Sequence, residues 1–167
     1  MNHKEQIISA IEKEIKICQR LYTKLPEGGL KYKPQEGMRD TLELLQTITA
    51  WGSSTAETYV CTDPDEKDKI YEKYFGNIEA IKPEDFHKLM NEQLETIKTL
   101  LKDVSDDDLL TKPVTVPWGE EMKLGQALLE TTLKWLTGYK MQLFLYAKMA
   151  GATVLDTGDC WIIPWED

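Results

Sequence analysis

The chain has 167 residues, 41% of them apolar and 29% charged, which suits one globular domain and excludes wholesale disorder. Its formal net charge is −9 and its only arginines are Arg20 and Arg39, which excludes the clustered basic surface of a nucleic-acid binder. The start, MNHKEQII, has no apolar signal core and no run nears the length of a membrane span, so a soluble, cytoplasmic chain is expected.

Four helices are expected in chain order. The first runs from about Glu5 to Lys24, with Ile7, Ile8, Ile11, Ile15, Cys18, Leu21, Tyr22 and Leu25 at helical spacing. Pro26 and the Gly28-Gly29 pair end it. The second begins at Asp40, an N-cap with Glu43 three residues on as in a capping box. Leu42, Leu44, Leu45, Ile48, Trp51 and Tyr59 are its apolar positions. CTDPDEKDK then reads as a charged loop, and IYEKYFGNIEAI as a short turn of helix before Pro83.

Pro83 suits the first position of the third helix, where its missing N–H costs nothing. Phe86, Met90, Leu94, Ile97, Leu101 and Val104 give that helix one apolar face. DVSDDDLLTKPVTVPWGEEM is a connection in which VTV is extended between two prolines. The fourth helix spans about Leu124 to Ala150, carries Leu128, Trp135, Leu136, Tyr139, Leu143, Tyr146 and Ala147, and stops at Gly151. The last sixteen residues form a tail holding Trp161, Ile162, Ile163 and Trp165, too apolar to remain in water. The expected fold class is all-α, a four-helix bundle with long connections, one domain over 1–167.

Two stretches resemble the DinB-like (DinB/YfiT-like) family of four-helix-bundle proteins. Residues 25–51, LPEGGLKYKPQEGMRDTLELLQTITAW, are similar to its Leu-Pro, Lys-Pro turn, Arg, Glu-Leu-Leu and metal-binding His pattern. Residues 117–151, PWGEEMKLGQALLETTLKWLTGYKMQLFLYAKMAG, are similar to its last helix, where two His four residues apart precede Arg-x-Gln-Leu. Together they cover somewhat over a third of the chain.

The resemblance implies a metal site on three histidines, and this chain departs from it at all three. Thr47 stands at the second-helix position, and Trp135 and Tyr139 at the two positions on the fourth helix. The i, i+4 spacing keeps Trp135 and Tyr139 on one helical face. Indole offers only an N–H donor, and neutral phenol and hydroxyl are weak ligands. His3 and His87 are the chain's only histidines, so a three-histidine site cannot be built in one chain. No metal and no cofactor are expected.

The three positions read either as plain core or as the lining of a retained cavity, with Thr47 and the Tyr139 hydroxyl orienting a ligand. Arg39 reads either as a surface cation paired with a carboxylate or as a contact to a ligand anion. Cys18, Cys61 and Cys160 read as reduced, inert thiols without a nearby base. Asp106-Asp107-Asp108 reads as a solvated turn that lacks the spacing of a calcium loop. No GxGxxG, GxxxxGK[ST] or GxSxG occurs, so dinucleotide, P-loop and serine-hydrolase readings have no local support.

The resulting expectation is a homodimeric, non-catalytic binding or interaction module with no catalytic residue assigned. A small-molecule ligand is left open. The alternatives are a thiol-transferase-like or hydrolase-like enzyme using the same pocket, and a purely structural or regulatory dimer.

Overall fold

The computed structural model describes residues 1–61 and 63–162, and it is mostly helical with one small hairpin. Helix α1 (His3–Thr23) buries Ile7, Ile11, Ile15, Ile17, Cys18 and Leu21. Its first N–H groups are fully provided for. The Asn2 side chain accepts from the Glu5 N–H at 2.8 Å, and Glu5 accepts from the Asn2 N–H at 3.0 Å.

The Asp106 carboxylate accepts from the His3 and Lys4 N–H groups at 3.1 and 3.0 Å. Asp106 opens α5 (Asp106–Thr111), so the acidic run is the first turn of a capped helix rather than a solvated turn. Ser105 and Asp108 form its capping box, and three carboxylates at a helix N-terminus are favoured by the dipole.

The capping box expected at Asp40 and Glu43 starts α2 (Thr41–Val60), with both bonds formed at 2.7 and 2.9 Å. This helix is buried on nearly every side, which its small and hydroxylated residues permit. Gln93 of α4 (Phe86–Leu100) reaches into it. The Gln93 Oε1 accepts from the Gly52 N–H at 2.6 Å, and its Nε2 donates to the Ile48 carbonyl at 3.2 Å. Between α2 and α4 lies α3 (Lys67–Phe75), which begins inside the stretch expected to be a charged loop. A single turn, Pro83–Asp85, precedes α4, with the proline at its first position as expected.

The extended VTV segment is strand β1 (Pro113–Thr115), paired antiparallel with β2 (Glu121–Lys123). Gly119 turns the hairpin with φ +89, a conformation a side chain would strain. The last long helix is interrupted. It comprises α6 (Leu124–Ala127), a π-helical turn (Leu128–Leu133) and α7 (Lys134–Met149). Such turns insert an extra residue and recur at functional positions. Here Thr131 and Thr132 face the core, and the Thr132 hydroxyl meets that of Thr55 at 2.8 Å.

Helices α1 and α2 each pack against both α4 and α7. The apolar faces meet in one cluster that includes Ile11, Ile15, Leu44, Ile48, Met90, Ile97, Leu128, Leu136 and Leu143. The expected tail begins to fold back, since α8 (Gly158–Trp161) packs on α1 and α7. Asp159 pairs there with Arg20 and Lys24, both at 3.0 Å. Of the tail residues expected to leave water, however, Trp161 and Ile162 are both exposed, the turn burying Asp159 and Cys160 instead, and Ile163 and Trp165 lie outside the described residues. Among the described residues no helix is long and apolar enough to cross a membrane.

Candidate functional site

Trp135 and Tyr139 project from the first turns of α7, directly after the π-helical turn. Both meet Trp51 of α2. The Trp51 and Trp135 rings stack with centroids 4.2 Å apart and planes 25° apart. Tyr139 stands edge-on to Trp51 at 5.8 Å and 76°. Aromatic pairs prefer these offset-stacked and edge-to-face arrangements, each adding roughly 0.5–1.5 kcal/mol beyond area burial.

The row continues in both directions. On one side Trp118, carried by the hairpin turn, lies over Trp135 with centroids 6.3 Å apart and planes inclined by 25°. On the other, Phe75 of α3 meets Trp51 edge-on at 6.1 Å and stacks on Tyr71 at 4.8 Å. The cluster thus draws on α2, α3, α7 and the hairpin. Its inner members are half-buried, whereas Trp118 is 52% exposed. Its indole N–H donates to the Glu120 carboxylate at 2.9 Å. Among the described residues the buried Nε1 of Trp51 has no hydrogen-bond partner.

Thr47 is one turn before Trp51 on the same helix face, buried, with its hydroxyl donating to the Glu43 carbonyl at 2.9 Å. That bond is internal to α2 and uses the hydroxyl's one donor, leaving its oxygen as an acceptor. Arg39 is exposed in the approach to α2, one residue before the N-cap. Trp51, Trp118, Phe75 and Tyr71 are members that the sequence did not mark as site residues. The signal for Trp51 was its i+4 spacing from Thr47.

No three His, Cys, Asp or Glu converge as a metal-ion set among the described residues. The two histidines lie elsewhere. His3 is at the start of α1, where its backbone N–H donates to Asp106, and the His87 ring packs edge-on against Tyr22 at 5.4 Å. Burial raises the Cys18 and Cys160 thiols above their ordinary range, the wrong direction for a nucleophile. Cys61 is half-buried at the end of α2. A second polar feature lies under α8, where Lys140, only 1% exposed, pairs with Glu14 at 2.9 Å and sits 4.5 Å from the Trp161 ring centroid.

A shallow apolar groove of about 430 Å³ runs between α1 and the π-helical turn, lined by Ala10, Leu110 and Leu129 among others. It continues as a second hollow of about 400 Å³ past Leu133 to Trp161. No family model and no curated protein matches the chain, so the DinB-like resemblance stands on its quoted residues alone.

Proposed function

We propose that the chain is a DinB-like four-helix bundle that acts, without a metal, as a non-catalytic binding or interaction module of the cytoplasm. The observation that carries this reading is the Trp51–Trp135–Tyr139 cluster, in which rings occupy two of the three positions where the family pattern places metal-binding His. The bundle reading is supported by α1 and α2 each packing on both α4 and α7. Rings of this kind bury area, hold shape and need no cation.

The enzyme alternatives require a nucleophile, acid or base among the reacting groups. The cluster instead presents ring faces, and the buried thiols are shifted away from reactivity. Homodimer formation belongs to the same proposal. The groove beside α1 carries exposed Leu110 and Leu129, and its charged lining, Lys123 against Glu130, balances. The groove itself thus brings no like-charge contact, while the net charge of −9 on each copy opposes association most at low salt.

The test is a thermal-shift comparison of wild type with Trp135→Ala across a panel of small molecules, alongside sedimentation at tens of micromolar protein. The reading expects compounds that raise the wild-type midpoint and leave the variant unchanged, and a dimer in the centrifuge. A panel that shifts both chains equally contradicts the site, and a monomer contradicts the assembly.

A further inference from the structure

We infer that the open end of the aromatic row seats a flat, positively charged heteroaromatic ring against Trp118, with Glu120 at its rim. The inference rests on the cluster being the binding site and adds the chemical class of its ligand. Trp118 and Trp51 each lie 25° from the plane of Trp135, in a stacked rather than edge-on arrangement. The inner pair is tight at 4.2 Å, whereas Trp118 is the looser member at 6.3 Å and 52% exposed. A flat ring laid on its exposed surface extends a row already built.

Its charge follows from three features of the site. Indole faces carry the negative side of the ring quadrupole, and Trp is the strongest partner for a cation. The Glu120 carboxylate is fixed 2.9 Å from the Trp118 nitrogen, so a negative group lies at the edge of the binding face. The whole chain, at −9, draws cations toward its surface and repels anions. An aliphatic ligand would gain from burial but not from stacking, and an anion would meet Glu120.

Isothermal titration of the full chain with 1-methylquinolinium tests this, with naphthalene-1-sulfonate as the anion of similar shape. Saturable binding of the cation is expected, weakened about tenfold by Trp118→Ala and about threefold by Glu120→Gln. The sulfonate should bind at least about tenfold more weakly than the cation. Trp118 is exposed, so its variant should keep the wild-type circular dichroism, and Glu120→Gln decides the matter if it does not. No saturable heat, undiminished affinity in both variants, or a sulfonate that binds as well overturns the inference. Failure here alongside Trp135-dependent shifts with other compounds removes only the ligand class and leaves the binding module standing.

Discussion

The indole rings of Trp51 and Trp135 stack 4.2 Å apart and join α2 to α7. Neither ring reaches this position alone. The π-helical turn at Leu128–Leu133 sets the register in which Trp135 emerges, and the Gln93 bridge fixes α2 beside Trp51. Trp135→Ala should therefore cost about 2–4 kcal/mol in urea unfolding, somewhat under a fully buried Trp, because its ring is half-exposed. Trp118→Ala should cost less than about 1 kcal/mol, since its indole is mostly in water.

Gly52→Ala should destabilise by about 1–3 kcal/mol, because a Cβ there would sit 2.7 Å from the Gln93 Oε1 in a packed interior. Adding Gln93→Ala should recover part of that loss by removing the obstructing amide. A double-mutant cycle by urea denaturation measures this coupling, and simple additivity would deny the contact.

Lys140 and Glu14 form an ion pair under α8 in which the lysine is almost wholly withdrawn from water. Glu14→Gln leaves that ammonium unpaired and should cost about 3 kcal/mol. Combining it with Lys140→Met removes the stranded charge and should restore most of the stability, because a matched apolar chain replaces a desolvated pair. Unfolding free energies of the three chains provide the comparison.

Asp159 gives a pH dependence with a definite sign. Burial raises its pKa, but the Asp156 N–H and the Lys24 and Arg20 cations outweigh this and hold it at about 2, below the ordinary 3.8. The folded state thus holds the carboxylate more firmly than the unfolded chain does. Its contribution is complete above pH 3.8 and is lost as pH falls toward about 2. The urea midpoint of the wild type should drop through that window more steeply than that of Asp159→Asn.

Much of the fold was legible because its signals are local. The Ile7–Ile11–Ile15–Cys18 stripe, the Asp40–Glu43 capping box, Pro83 and the Gly151 stop each follow from spacing and backbone chemistry. The π-helical turn was not legible, because a hydrophobic pattern read at 3.6 residues per turn gives no sign of one inserted residue. Asp106 looked like a solvated charge because its partners, the His3 and Lys4 N–H groups, lie a hundred residues away. At the site, the shared face of Trp135 and Tyr139 came from i, i+4 spacing. Their convergence on Trp51, and the arrival of Trp118 from a hairpin, depend on tertiary packing that no local pattern encodes.

On the function proposed above, aromatic rings, and no metal, occupy the face between α2 and α7. Elemental analysis of the chain purified without chelator tests it most directly. Zinc, nickel and manganese should each be far below one atom per chain, and the values should not change in Trp135→Ala or Tyr139→Phe. About one transition-metal atom per chain, lost on changing Thr47 or Tyr139, would contradict it.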